Sequence, residues 1–370
     1  MTHTNAVIID LAALRSNLLA VRRLVGPSRR ILACVKANAY GHDLVKCSRA
    51  AVEAGAAALG IARLGEAVAL RDAGVEAPLV LLGPESLAAT EELLALDVEI
   101  LVDSLPRLDA VVEAAKHRER RAAVHLALDV GMGRFEASPS EAEQIIDRIL
   151  REKVVQWVGV MTHFPVADTD PDRTREQWGR FDRITTEWRQ RGIPVPMRHA
   201  ANSAAILTLP ECHAEMVRPG LMLYGIKPCD GTAGPSLRPV LRWTTHVAAL
   251  HWHDQGASVG YGGTFVAPRR TLVATLPVGY GDGMAWIAGN RGWVLVRDRR
   301  SPVIGRVSMD QITVDVTDVP NVALGDEVVI IGEQGGERIT VEEWAAWTGT
   351  ISYEVTTRLL PRAARVGING

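Results

Sequence analysis

The chain has 370 residues, 47% of them hydrophobic and 23% charged, and a formal net charge of -2 at pH 7. That length can bury a sizeable core and admits two domains. The near-neutral balance gives no sign of binding to nucleic acid or anionic membrane, which leaves small-molecule chemistry as the expected task.

Residues 1–5 lack the basic stretch and apolar core of a signal peptide, and no run approaches the ~18 apolar residues of a membrane span, so a cytoplasmic protein is expected. The first element is a strand, Ala6 to Ile9, followed by Asp10 at a helix N-cap position. Apolar residues then recur at Leu11, Leu14, Leu18, Val21 and Leu24 until Gly26-Pro27 stops the pattern. From there strand-length apolar runs occur at Arg30 to Val35, Ala57 to Ala62, Pro78 to Leu82, Glu99 to Val102, Ala122 to Leu128, Val155 to Met161, Met197 to Ala201 and Glu215 to Val217. Helical stretches such as 43–54, 64–73 and 138–152 separate them. Eight strands alternating with helices over about 200 residues point to a (β/α)8 TIM-type barrel. An open doubly wound sheet is the alternative.

Chemistry in a barrel sits at the C-terminal ends of its strands. There the sequence places Lys36, Arg134, His163, Asn202, Ser203 and Arg218. Lys36 stands at the mouth of an apolar strand, where partial desolvation favours a neutral, nucleophilic amine. Ser203 opens a helix, and Arg218-Pro219-Gly220-Leu221 follows the last strand, where barrels commonly bind phosphate through backbone amides.

Around Lys227 to Ser236 the sequence becomes loop-like and the alternation stops. A boundary is expected there, giving a barrel over residues 1–232 and a C-terminal, mainly β domain over 233–370, with strand 6–9 able to pair with the second domain. Strands are expected at Thr244 to His253, Thr271 to Leu276, Trp293 to Val296, Val303 to Val307, Ile312 to Val316 and Glu327 to Ile331, with one short helix at Val341 to Trp347. The turns Gly260-Tyr261-Gly262 and Gly279-Tyr280-Gly281 lack the strand and long helix of a nucleotide loop. Glycines flanking a tyrosine let the backbone turn sharply and leave the phenol exposed. His42, His125, His163 and His199 sit singly, and His251 and His253 lack a third ligand, so no metal site is expected. Cys34, Cys47, Cys212 and Cys229 form no paired motif and read as reduced, buried thiols.

The motifs Val35-Lys36-Ala37-Asn38-Ala39-Tyr40-Gly41-His42, Asp129-Val130-Gly131-Met132-Gly133-Arg134, Thr162-His163-Phe164, His199-Ala200-Ala201-Asn202-Ser203, Arg218-Pro219-Gly220, Ser258-Val259-Gly260-Tyr261-Gly262 and Gly305-Arg306-Val307-Ser308-Met309-Asp310-Gln311 occur in order along nearly the whole chain. Together they resemble the alanine racemase family of fold-type III pyridoxal-phosphate enzymes.

The resemblance implies that Lys36 holds pyridoxal 5'-phosphate covalently. It also implies that Tyr40, Ser203, Tyr353 and the amides of Gly220 and Leu221 hold its phosphate, with Asn202 alongside. Arg218 would face the pyridine nitrogen, and His163 would link that arginine to the catalytic tyrosine. Racemisation needs a base on each face of a planar carbanion. Lys36 would serve the D-enantiomer and Tyr261 of a second subunit the L-enantiomer, in a homodimer with shared sites that makes D-alanine, a peptidoglycan precursor. Arg134 and Met309 would bind the substrate carboxylate or the cofactor's phenolic oxygen, and Tyr280 and Tyr353 would narrow the access channel. Many family members carry a carbamylated lysine that steadies this arginine, whereas this chain has Ala127 there. A chloride, a water or a nearby carboxylate is left to neutralise Arg134. Alternatives within the fold are a broader or serine-preferring racemase, a decarboxylase, or a non-catalytic cofactor-binding protein.

Overall fold

The structure, a computed structural model, describes residues 4–229 and 234–370. The chain divides into two compact units, one of Leu14–Ala39 and Leu44–Arg238, the other of Met1–Ala13, Tyr40–Asp43 and Pro239–Gly370. The boundary expected between residues 232 and 233 lies outside the described residues.

β1 (Ala6–Asp10) leads into α1 (Leu11–Val25). Asp10 Oδ1 accepts the Ala13 amide at 3.1 Å, and Gly26, at φ +84°, ends the helix in the left-handed conformation that glycine adopts freely. The first unit is then a closed barrel of eight parallel strands: β2 (Arg30–Cys34), β3 (Ala58–Ile61), β4 (Leu79–Leu81), β5 (Val98–Val102), β6 (Ala122–Ala127), β7 (Val155–Met161), β8 (Met197–His199) and β9 (Met216–Val217). Between them run α2 (Leu44–Glu53), α3 (Leu64–Asp72), α4 (Thr90–Ala95), α5 (Leu105–His117), α6 (Pro139–Arg151), α7 (Pro171–Gln190) and α8 (Ser203–Thr208). All eight expected strands are present, and their closure excludes the open sheet. Both faces of these short strands are covered, which explains why they read as continuous apolar runs. Ile31, Leu59, Leu79 and Val124 are wholly buried, each contributing about 1.5–3 kcal/mol.

The second unit is built on a ten-stranded sheet in the order β11-β14-β17-β16-β15-β18-β10-β1-β20, with β19 on β18. Its strands are β10 (Leu241–His246), β11 (Ala249–His253), β14 (Thr271–Leu276), β15 (Trp293–Val296), β16 (Arg299–Ile304), β17 (Ile312–Asp315), β18 (Glu327–Gln334), β19 (Glu337–Ile339) and β20 (Ala364–Ile368); β12 (Ser258–Val259) and β13 (Phe265–Val266) form a separate pair. β1 lies in this sheet, antiparallel to β10 and parallel to β20, and Asn5 Oδ1 accepts the Trp243 indole N–H at 2.6 Å. The strand expected over 244–253 is interrupted at Val247-Ala248, and the one expected at 303–307 lies earlier, at 299–304. The short helix α9 (Val341–Thr348) is followed by a second, α10 (Ser352–Thr357), that propensity did not reveal.

Gly41 shows why the lysine motif needs its glycine: at φ +87°, an added Cβ would lie 2.0 Å from the Thr356 carbonyl oxygen. Cys34, Cys47 and Cys212 are buried as expected, but Cys229 is only half-buried.

Candidate active site

Lys36 follows β2 and Val35 and is half-buried. The backbone after it winds left-handed through Ala37, Asn38, Ala39 and Tyr40, with φ of 53°, 55°, 53° and 54°. Residues with a Cβ resist this conformation, so it must be held from outside. Glu66, in the first turn of α3, does so with both oxygens: Oε1 accepts the Ala37 amide at 2.6 Å, and Oε2 accepts the amides of Ala62 and Arg63 at 2.7 and 3.2 Å. At the far end, Asn38 Oδ1 accepts the Leu44 amide at 2.8 Å.

Arg218, just past β9, is 4% exposed. Its Nη1 donates to the His199 carbonyl at 2.5 Å, and its Nη2 donates to the Thr162 and Ala200 carbonyls at 2.7 and 3.1 Å. Nη2 also lies 3.3 Å from His163 Nδ1, and Nη1 lies 3.1 Å from His199 Nδ1. A line of side chains continues inward, with His199 Nε2 2.9 Å from His125 Nδ1 and His125 Nε2 2.6 Å from Glu99 Oε2. Burial lowers the affinity of Arg218 for its proton to a pKa of about 10, which still leaves it charged at neutral pH. Burial, then Arg218, Arg134 and Lys36, hold His163 well below the usual imidazole range. One histidine thus feels three cations from three strand ends, as a shared mouth requires. His199 is depressed likewise, by burial and then by Arg218 and His125.

Ser203, the first residue of α8, accepts the amides of Gly220 and Met222 on Oγ at 2.9 and 3.3 Å. The Gly220 amide expected on phosphate is therefore engaged by the serine, while the buried Leu221 amide has no acceptor among the described residues. Asn202 caps α8, accepting the Ala205 amide at 3.0 Å and donating to the Phe164 carbonyl at 3.4 Å. Hydroxyl, unused amide, half-buried amine and buried guanidinium form a donor set suited to an anionic, aldehyde-bearing aromatic cofactor. Pyridoxal 5'-phosphate is such a group. The Nε–H of Arg218 makes no bond to protein among the described residues, and it is the donor left for a ring nitrogen.

Arg134 Nη2 lies 3.0 Å from Oε1 of Glu136. Ala127 is fully buried in an apolar cluster with Leu101 and Met161, against which Phe135 packs.

In the second unit, Tyr261, Tyr280, Trp286 and Met309 line one cavity of about 520 Å³. Tyr261 is 72% exposed and Met309 54%. Gly279 explains the glycine-flanked tyrosine, since its Cβ would come within 2.3 Å of the Ser308 carbonyl; Tyr280 and Gly281 donate their amides to the carbonyls of Ser308 and Met309 at 3.0 and 2.9 Å. Tyr40 and Tyr353, expected together on phosphate, have ring centroids 6.0 Å apart. Glu66, Glu99, His125 and Glu136 were not expected at the site. Only Glu136, an acid two residues after the key arginine, leaves a local signal.

The sequence profile of the alanine racemase N-terminal domain matches residues 9–228, and that of the C-terminal domain matches residues 240–367. The chain belongs to the alanine racemase family. The alanine racemase of Symbiobacterium thermophilum is 41% identical over 359 residues, covering 96% of this chain and 95% of the relative, and that of Halothermothrix orenii is 40% identical over 365 residues with the same coverage. Among solved structures, the alanine racemase of D-cycloserine-producing Streptomyces lavendulae is 36% identical with a TM-score of 0.93, covering 100% of this chain and 98% of that one. The Clostridium difficile 630 alanine racemase is 31% identical with a TM-score of 0.94, covering 100% and 96%. No helix among the described residues is long and apolar enough to cross a membrane.

Proposed function

We propose that this chain interconverts L- and D-alanine in the cytoplasm with pyridoxal 5'-phosphate, as a head-to-tail homodimer with shared sites. The observation that carries the reading is Arg218, a buried guanidinium with both terminal nitrogens on barrel carbonyls and Nε–H open, in electrostatic reach of Arg134 and on the same histidine as Lys36. When bound, the cofactor acts as an electron sink that weakens the α-C–H bond of the attached amino acid.

The protein's part is positioning and proton transfer. Arg218 keeps its proton at neutral pH, so it gives a ring nitrogen a hydrogen bond without protonating it. Ser203 and the Leu221 amide suit a phosphate, and in the second unit the phenols of Tyr40 and Tyr353 are chemically suited to one as well. Lys36 Nζ exchanges a proton with the α-carbon on the face that yields the D-enantiomer. Tyr261 Oη of a second copy does so on the opposite face, for the L-enantiomer. The exposure of Tyr261, Met309, Trp286 and Tyr280 supports their reaching across to a partner's site. Arg134 holds the substrate carboxylate beside the Met309 backbone, and Tyr280 and Tyr353 narrow the access channel to suit a methyl side chain.

The test is incubation of the purified protein and pyridoxal phosphate with L-alanine in deuterated water. Both enantiomers should appear, deuterated at the α-carbon and without pyruvate. Exchange with retained configuration would remove Tyr261 as second base, and no exchange would remove the reading.

A further inference from the structure

We propose that Glu136 is a positioning residue, the built-in anion that fixes Arg134 for the substrate carboxylate. The proposal rests on the reading of Arg134 given above. The Glu136 side chain is wholly buried, a placement that is costly for a carboxylate unless its oxygens are satisfied. Both are: Oε1 lies 3.0 Å from Arg134 Nη2, and Oε2 accepts the Phe135 amide at 3.0 Å. Arg134, by contrast, is 44% exposed, and its guanidinium carbon lies 4.5 Å from the Phe135 ring centroid. One edge of the guanidinium is thus tied to a buried carboxylate and one face to a ring. The rest of the fork remains for a second carboxylate.

Electrostatics agree with the geometry. Arg134 disfavours the charge on Arg218, and Glu136 favours it, so this carboxylate offsets the repulsion between two cations at one mouth. Ala127 can carry no charge and sits among Leu101, Met161 and Phe135, so no anion can come from that strand position. The glutamate supplies it from the loop after β6.

Glu136→Gln tests this. The Phe135 amide would orient the amide oxygen towards itself and leave an NH2 group facing Arg134. The KM for alanine should rise about 10- to 50-fold with kcat within about threefold. Propionate, a carboxylate without the reacting amine, should lose affinity for the holoenzyme by a similar factor in calorimetry. Glu136→Gly should behave alike and recover both affinities in formate, which can occupy the vacated carboxylate position; this variant decides the matter if the glutamine protein does not fold. Unchanged KM and propionate affinity in either folded glutamate variant, alongside large losses in Arg134→Ala, would overturn the role of Glu136 and leave that of Arg134. Unchanged values in Arg134→Ala as well would overturn the reading of Arg134 on which the proposal stands. A matched loss of kcat and stability without formate rescue would reduce Glu136 to a structural residue and also overturn the proposal.

Discussion

Arg218 Nη1 lies 3.1 Å from His199 Nδ1, and this contact sets the direction of an entire buried hydrogen-bond line. A guanidinium nitrogen can only donate, so His199 Nδ1 accepts and its proton resides on Nε2. Nε2 then donates to His125 Nδ1, and His125 Nε2 donates to Glu99. A cation at one end and a carboxylate at the other thus give the hydrogen-bond line a single direction. His163 Nδ1 must likewise accept from Arg218, which leaves its Nε2–H available to another partner.

Stability should therefore depend on pH in a defined window. The folded pKa values of His163 and His199 lie well below the usual 6.5, so both are neutral in the native state while the unfolded chain takes up protons below about 6.5. Their stabilisation is complete above that pH and is lost as pH falls towards the folded values. Two such groups give a slope of up to about 2.7 kcal/mol per pH unit. Urea unfolding at pH 7.5, 6.5 and 5.5 measures it, and His199→Asn should remove that residue's share of the histidine part. A flat profile across the window would mean that the native imidazoles are charged and the tautomers wrongly assigned.

Gly159→Ala tests how tightly the inner histidine is framed. The new Cβ would lie 2.1 Å from His125 Nδ1, so the ring must leave its line between His199 and Glu99. Overpacking of this kind costs about 1–3 kcal/mol. A lower melting temperature with a severalfold fall in kcat is expected, and His125→Ala in the same background should recover the stability but not the rate.

Lys36→Ala should leave the far-ultraviolet spectrum and melting temperature of the apo-protein nearly unchanged, because the turn is held through the Ala37 and Leu44 amides and not through the amine. Racemisation should fall by at least about 10²–10⁴-fold, the usual contribution of a positioned base. Full activity would place the base elsewhere.

Arg362→Gln addresses the loop that presents Met309. Arg362 binds Asp282 through Nε and Nη2 at 2.7 and 2.8 Å, Asp310 through Nη1 at 2.6 Å, and the Met309 carbonyl at 3.0 Å. Asp282 is 3% exposed and would lose its cation, at a cost of about 1–3 kcal/mol. Thermal melting should register that loss, and steady-state kinetics should show KM raised about three- to tenfold.

Barrel strands were legible because eight short runs such as Leu79 to Leu81 bury both faces and need no partner to be recognised. Lys36, Arg218 and Tyr261 stand out as candidates through their motifs. Glu66 and Glu99 were not, since each acts on a segment about 30 residues away whose approach depends on barrel closure. The break between β10 and β11 escaped notice because Val247-Ala248 continues the apolar run without a glycine or proline. The segment at 303–307 was misplaced because Arg299 to Ser301, at its true start, reads as a polar turn.

The left-handed residues after Lys36 put this protein at odds with its own thermodynamics. Each non-glycine residue so wound costs about 1–2 kcal/mol, which glycine would largely escape. Ala37→Gly or Ala39→Gly should then yield a more heat-resistant protein. Strain is thus stored in the segment directly following Lys36, where it fixes the course of the backbone that carries the amine.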